Sequence, residues 1–194
     1  MQTKTNPIRS FKVSFVVLSS LLLMSAGAIQ AQQTEDLPKP GPEQKKLAVW
    51  VGEWKYEGSG PDTAMGPGGK FTGKQTSRMI LGGLFLEHKW GDKGNYGGKE
   101  ISLQGVDLNW YDAATKTYHS QSFCNDGSVS TGVFTINGNV WSSSGTRTDA
   151  QGKICKVRDV STFSADGKTR TGRVEFSLDD GKTWTFWFDT TMKK

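Results

Sequence analysis

The sequence predicts an all-β protein in which an antiparallel up-and-down meander of about ten strands closes into a barrel, preceded by a short N-terminal helix. Three observations support this prediction. All six prolines lie at or before Pro67, and proline is poorly tolerated within a hydrogen-bonded sheet. Asn-Gly and Asp-Gly pairs, which favour tight hairpins, recur at short intervals from residue 126 onwards. The segments between these pairs are rich in β-branched and aromatic residues.

Closure of the sheet is expected because twisted strands in an open sheet would leave two unpaired edges. A two-layer sandwich is the alternative architecture, but the long connections of a Greek key are lacking after residue 99. The predicted strands lie near residues 50–59, 69–80, 84–91, 100–111, 116–124, 128–136, 139–147, 154–164, 169–178 and 183–190.

The N-terminal residues 1–31 have the pattern of a signal peptide. Lys4, Arg9 and Lys12 precede the apolar run 13–24, and small residues follow up to Ala31. The sequence therefore predicts export to the periplasm or the extracellular space, and a mature chain without a transmembrane segment. This leader contains three of the 24 basic residues and none of the 19 acidic ones. The mature chain is then nearly balanced in charge, which argues against nucleic-acid binding.

After the leader, residues 32–44 are polar and proline-rich and predict a flexible linker, and residues 45–194 form the predicted barrel domain. A short helix is expected to open near residue 42 and to border one end of the barrel. The first strand begins with Gly52-x-Trp54. Gly52 permits close backbone approach, and Trp54 is expected to anchor the core.

The two cysteines, Cys124 and Cys155, are a candidate disulfide in an exported protein. Both flank turns at the same end of the predicted barrel, but two strands separate them, so a direct bridge requires the barrel to narrow there. The chain has no Cys-x-x-Cys pair, and His88 and His119 are far apart in sequence. No metal site is predicted.

Several motifs resemble known families. Gly52-x-Trp54 resembles the opening signature of the lipocalins and their calycin relatives. Residues 72–78 (TGKQTSR), 80–86 (ILGGLFL, with Gly82 and Gly83) and 111–118 (YDAATKTY) resemble a bacterial secreted family of unknown function. This resemblance spans about residues 45–190. It implies a calycin-like barrel, with structural roles for the glycines, and brings no established activity.

A more distant resemblance to the nitrobindins implies haem binding as an alternative. Tyr56 stands where those proteins have a glycine after the tryptophan. Their iron-binding histidine lies near the C-terminus, whereas no histidine follows His119 here. We therefore expect no haem and no other cofactor.

Residues 177–184 (SLDDGKTW) fit the pattern Ser-x-Asp-x-Gly-x-Thr-Trp of the Asp-box. A single copy cannot form a propeller, so the pattern predicts a structural hairpin. In this hairpin Asp179 caps the turn, Gly181 adopts a positive φ angle and Trp184 packs beneath the turn.

The sequence contains no Gly-x-Ser-x-Gly motif and no recognisable catalytic triad. We therefore favour binding of a small apolar or amphipathic molecule inside the barrel. An enzyme with an active site in the same barrel, and a packed barrel that acts through its surface, are the alternatives. The candidate ligand-binding residues are Arg78, His88, Trp90, Trp110, Tyr118, His119, Trp141 and Arg158.

Overall fold

The computed structural model describes residues 37–194, which form a closed antiparallel barrel of ten strands. Each strand pairs with the next one in sequence, and the last strand pairs with the first, so the predicted fold class is confirmed. The predicted signal peptide 1–31 and residues 32–36 of the predicted linker lie outside the described residues. Within residues 37–194 no helix is long and apolar enough to span a membrane.

The described chain begins with helix α1 (Pro42–Lys46) and a 3₁₀ turn (Leu47–Trp50), so ordered structure starts inside the predicted linker. Pro42 occupies the start of the helix, where a backbone N–H would have no hydrogen-bond acceptor within the helix, so the lack of an N–H in proline costs nothing. The strands are β1 (Gly52–Gly60), β2 (Gly69–Ile80), β3 (Phe85–Tyr96), β4 (Lys99–Asp112), β5 (Thr117–Cys124), β6 (Val129–Asn137), β7 (Val140–Thr148), β8 (Ile154–Phe163), β9 (Thr169–Ser177) and β10 (Thr185–Lys193).

Strand β3 is longer than predicted. The sequence predicts that the strand ends at residue 91, but residues 92–96 continue it and pair with β2 and β4 up to Tyr96. The turn that joins β3 to β4 consists only of Gly97 and Gly98, which have φ angles of 57° and 82°. The long pairing overrides the low strand propensity of glycine, because every backbone group in this stretch has a partner strand on each side.

Residues 42–50, which we call the plug, close one end of the barrel. Leu47 and Trp50 are buried against a core that includes Trp54, Leu86 and Phe163. Trp54 Nε1 donates a hydrogen bond of 2.6 Å to the Trp50 carbonyl oxygen, so the first strand holds the plug directly. Trp54 is only 1% exposed, and its indole N–H therefore needs this acceptor.

Two further side chains fasten the plug. Tyr118 on β5 donates a hydrogen bond from its hydroxyl to the Glu43 carboxylate. Lys194, the last residue, donates from Nζ to the Val49 carbonyl oxygen over 2.8 Å. The plug is thus joined to the middle of the barrel wall and to the chain terminus.

Strand β10 contains an irregularity that the sequence did not predict. Simple alternation places Trp187 on the opposite face from Phe186 and Phe188. The register of β10 against β9 shifts between Phe186 and Phe188, and both Trp187 and Phe188 line the interior. A bulge accommodates one extra residue in this way and turns two consecutive side chains inward.

Candidate functional site

The half of the barrel away from the plug contains a cavity of about 650 Å³. Its entrance lies among residues 60–69 between β1 and β2, the β3–β4 turn and the β5–β6 turn. Most of its wall is apolar, because inward positions of five strands carry aliphatic or aromatic side chains. These are Phe71, Ile101, Leu103, Val157, Val174, Phe188 and Met192.

A buried polar cluster lies beneath the cavity, around His88 on β3. Gln75 Nε2 lies 2.9 Å and Ser77 Oγ 2.7 Å from His88 Nδ1, and Asn109 Nδ2 lies 3.0 Å from its Nε2. Both ring nitrogens therefore have polar partners. Burial, followed by the charge of Arg170, lowers the pKa of His88 from 6.5 to about 3, so the ring is neutral at physiological pH.

Arg170 on β9 lies at the same depth and contributes to the cavity lining. Its Nη2 atom donates to the Asp159 carboxylate over 3.3 Å and also to Ser161 Oγ. Its guanidinium carbon lies 5.1 Å from the ring centroid of Trp50 in the plug. The buried positive charge is therefore compensated by one carboxylate and by the face of an aromatic ring.

Two carboxyl groups lie on the wall formed by β3 and β4. Trp90 Nε1 donates to Asp107 Oδ1 over 3.0 Å, and the Tyr56 hydroxyl lies 3.4 Å from Asp92 Oδ2. Burial raises the pKa of both Asp92 and Asp107. Asp107 is deeply placed in the protein yet keeps accessible surface, because it faces the cavity.

At the entrance, Arg147 on β7 pairs with Asp126 through a contact of 2.8 Å between Nη2 and Oδ2. The guanidinium carbon lies 5.8 Å from the ring centroid of Trp187. Ser128 donates to Asp126 from both its N–H and its hydroxyl. These hydrogen bonds and the charge of Arg147 outweigh burial and lower the pKa of Asp126 to about 2, so the ion pair persists at neutral pH.

Of the eight predicted ligand-binding residues, only Trp90 lines the cavity. His88 lies beneath the cavity within its polar cluster. Tyr118 and Trp141 are buried in the core beside the plug. These three residues face the interior, but they do not line the space where a ligand would fit.

The other four predicted ligand-binding residues face outward, which corrects the expectation that they could reach a ligand. Arg78 forms a 2.8 Å ion pair with Glu87 on the outer surface. Trp110 stacks on His119, with ring centroids 5.3 Å apart. Arg158 lies over the Trp184 ring on the outer surface of β8–β10, at 4.4 Å. Strand alternation puts these side chains opposite the inward positions of their strands.

The charged residues of the cavity, Asp92, Asp107, Arg147 and Arg170, were missed. On β4 the inward face carries Asp107 beside Gly105, whereas the outward face carries Val106 and Trp110. Ile101 and Leu103 also point inward, so both faces of this strand carry apolar side chains. The hydrophobic pattern therefore does not decide the orientation of β4, which depends on its register against the neighbouring strands.

The residues predicted to have structural roles lie as follows. Gly52 begins β1 with a φ angle of 127°, and Gly82 and Gly83 form the β2–β3 connection with φ angles of 70° and 89°. In the β9–β10 hairpin, Asp179 accepts hydrogen bonds from the Thr183 N–H and hydroxyl, at 2.9 and 2.6 Å. Gly181 has a φ angle of 91°, and Trp184 packs against Arg158.

The candidate disulfide is not formed. Cys124 lines the cavity entrance and Cys155 is buried, and both are free thiols. They lie on β5 and β8 with β6 and β7 between them. Two intervening strands place the backbones farther apart than a disulfide spans, because neighbouring strands are about 4.8 Å apart.

The site does not fit histidine ligation of haem. Both ring nitrogens of His88 are engaged below the cavity, and His119 lies on the outer surface against Trp110. Within residues 37–194, no group of three or more His, Cys, Asp or Glu side chains could hold a metal ion.

The fold and the cavity define a class of protein, a closed ten-stranded antiparallel barrel with an internal cavity open at one end. Residues 39–194 match the family described as protein of unknown function (DUF1579), and the chain belongs to that family.

Several solved structures are similar to this chain, including the following two. Rv2717c from M. tuberculosis has a TM-score of 0.54 at 12% identity, covering 79% of this chain and 98% of that one. The S-type phycobiliprotein lyase CPES from Guillardia theta has a TM-score of 0.49 at 9% identity, covering 78% of this chain and 92% of that one. At such identities the likeness concerns the fold alone. No curated protein matches the sequence.

Proposed function

We propose that this protein binds a small amphipathic molecule inside the barrel. The observation that supports the proposal is the cavity of about 650 Å³ with a largely apolar wall and a few ionisable groups. Ligand sites typically have volumes of about 300–1,000 Å³ and combine apolar lining with a small number of polar groups. A barrel that acts only through its surface would not need to keep such a space open, since unfilled space forfeits packing contacts.

Binding is a better explanation of this cavity than catalysis. A nucleophile needs an adjacent general base. Cys124 is the thiol at the cavity entrance, and burial raises its pKa, which disfavours the reactive thiolate. Its side chain contacts Asn125, at 3.6 Å from Sγ to Oδ1, and an amide is not a base. The neighbouring Asp126 carboxylate raises the pKa of the thiol further, and the carboxylate's own pKa of about 2 makes it a poor general base. His88 is engaged by other partners and stays neutral.

The leader-like residues 1–31 further support an exported binding protein, which would meet its ligand in the periplasm or outside the cell. Cell fractionation of the full chain expressed in a bacterial host, with the mass of the exported form measured, tests this part separately. A product that keeps residue 1 and stays in the cytoplasm would contradict export without affecting the binding proposal.

The binding proposal is tested with the neutral dye N-phenyl-1-naphthylamine, whose fluorescence rises in apolar surroundings. We expect saturable binding of the dye, with energy transfer from Trp90 and Trp187, which line the cavity. Val174→Trp fills part of the cavity and should abolish this binding. Val160→Trp is the matched control, because Val160 lies on the outer surface and is 51% exposed.

Equal dye binding by the two tryptophan variants would contradict an internal site. Native mass spectrometry of the protein purified from its own source then addresses the natural ligand. A retained small molecule that is lost in Val174→Trp would identify the bound species.

A further inference from the structure

We infer that the ligand carries a cationic amine, which lies against the carboxyl group of Asp92 with Asp107 as a second negative charge on the same wall, while its apolar body contacts the opposite wall of the barrel. This inference rests on the proposed function and specifies the chemistry of the ligand.

The charges around the cavity are not evenly compensated. Both arginines that line it already have a carboxylate partner, since Arg147 pairs with Asp126 at 2.8 Å and Arg170 with Asp159 at 3.3 Å. The two remaining carboxyl groups of the lining, Asp92 and Asp107, form no ion pair with any residue between 37 and 194. The cavity therefore lacks a positive charge that would compensate Asp92 and Asp107.

Asp92 is also poorly hydrogen-bonded. Its Oδ1 atom is buried and has no partner within the described chain, and the donors near its carboxyl group are the Tyr56 hydroxyl, 3.4 Å from Oδ2, and the Leu103 backbone N–H. A buried polar atom without a partner is unfavourable, and a buried carboxylate without a cation is more so. Burial raises the pKa of both aspartates for this reason. A cationic donor brought by a ligand would remove the penalty.

Tyr56 connects the two aspartates. Its side chain lies between β2 and the cavity, and the charges of both Asp92 and Asp107 raise its pKa, second to burial. On β3, Trp90 lies at a register position between those of Asp92 and Asp107, and its indole N–H donates a hydrogen bond to Asp107. Asp92 pairs in register with Leu103 and Asp107 with His88, so the two acids lie four residues apart along the β3–β4 pairing. An ammonium group can therefore donate to Asp92, whose Oδ1 atom has no partner within the described chain, while Asp107 adds a second negative charge to the same wall.

The order of the strands places an apolar surface directly across from these acids. In a ring of ten strands, β3 lies opposite β8 and β4 lies opposite β9. The inward residues there include Val157 on β8 and Val174 on β9, both in the cavity lining. Arg170, also on β9, lies deeper beside His88, and Asp159 compensates its charge. A ligand with an amine at one end and a hydrocarbon at the other therefore matches both walls.

An acidic ligand matches less well. The Nε atoms of Arg147 and Arg170 lack partners among residues 37–194, but Asp126 and Asp159 already compensate the charges of these two arginines. A carboxylate would therefore add a further uncompensated negative charge beside Asp92 and Asp107. A neutral alcohol could occupy the apolar wall but would leave the aspartates without a cation.

The test compares octylamine, octanol and octanoate, which share one hydrocarbon chain, as competitors of N-phenyl-1-naphthylamine at pH 7. We expect octylamine to bind about tenfold more tightly than octanol, because a charge-assisted hydrogen bond is about twice as strong as a neutral one. In the Asp92→Asn, Asp107→Asn double variant this preference should fall to within about twofold, while octanol affinity stays unchanged. Asp189→Asn, on the outer surface in a 3.9 Å contact with Arg173, should retain the preference.

Unchanged octanol binding shows that the double variant is folded and that its cavity is intact. If octylamine and octanol bind equally to the wild type, or if the double variant keeps the preference, the inference about the amine is overturned and the cavity remains a binding site. If neither the dye nor any of the three competitors binds, the proposed function itself fails.

Discussion

At the scale of single residues, His88 illustrates how the fold changes the meaning of a side chain. In the sequence it is one of two histidines and a candidate ligand-binding residue. In the structure it is a neutral member of a hydrogen-bonded cluster with Gln75, Ser77 and Asn109. Its partners come from β2 and β4, so no local pattern around residue 88 could reveal them. The surrounding contacts indicate a structural role beneath the cavity.

His88 predicts a dependence of stability on pH. Its pKa is about 3 in the folded protein and 6.5 in the unfolded chain, mainly because of burial. Between these values the unfolded chain binds a proton that the folded protein cannot, so stability is lost as the pH falls below 6.5. Relative to His88→Gln, the wild type should lose about 1.4 kcal/mol of unfolding free energy for each pH unit between about pH 6.5 and 4.5.

Urea unfolding of the two proteins at several pH values measures this difference. Asp92 and Asp107 are present in both, so their contributions, which have the opposite sign, cancel. A difference in unfolding free energy that is independent of pH would contradict the assignment of His88 as a buried neutral base.

At the scale of single elements, the plug shows where local sequence is sufficient and where it is not. A proline followed by helix-favouring residues predicts the short helix α1. However, so short a helix is not stable alone, and its order depends on what it covers. Leu47 is fully buried by residues from distant strands, and Tyr118 and Lys194 hold the segment by hydrogen bonds. The composition of residues 32–44 could therefore not show where the predicted linker gives way to ordered structure.

The plug gives a prediction for stability. Leu47→Ala removes a fully buried side chain and leaves a cavity, which should lower the free energy of unfolding by about 2–5 kcal/mol. Leu37→Ala makes the same chemical change at a position that is 85% exposed, and should alter stability by less than about 0.5 kcal/mol. Urea denaturation of both variants measures the two effects. Equal destabilisation, or none in either, would show that the plug does not close the core.

At the scale of the whole molecule, closure of the barrel determines which groups can meet. Pairing of β1 with β10 joins the two ends of the described domain. The same closure holds Cys124 and Cys155 on strands that are three positions apart in the ring. The candidate disulfide was reasonable from the turns that flank the cysteines, but the uniform spacing of strands keeps the thiols separate.

The thiols therefore give a prediction about opening of the molecule. Iodoacetamide should modify Cys124 slowly in the native protein, because the side chain is partly exposed at the cavity entrance but burial raises its pKa. Cys155 is only 4% exposed and should react only when denaturant unfolds the barrel. Mass spectrometry after alkylation, with Cys124→Ser and Cys155→Ser as controls, assigns each site. An unreduced protein that binds no iodoacetamide even when unfolded would indicate a disulfide.

The amino-acid sequence by itself determined the class of fold and most of the strands. Turn pairs such as Asn137-Gly138, the lack of proline after Pro67 and β-favouring segments are local properties, and the energy of a hairpin depends mainly on neighbouring residues. It also identified Trp54 as a core anchor, since a large aromatic side chain in a strand is best buried.

Only the tertiary structure decided which side chains reach the cavity. A shift of one residue in register moves every side chain of a strand to the other face, and register depends on pairing across the whole barrel. This is why Asp107 faces inward and Trp110 outward on β4, and why the bulge near Trp187 was unforeseen. The strands are fixed by local chemistry, whereas the site is fixed by how the strands are aligned when the barrel closes.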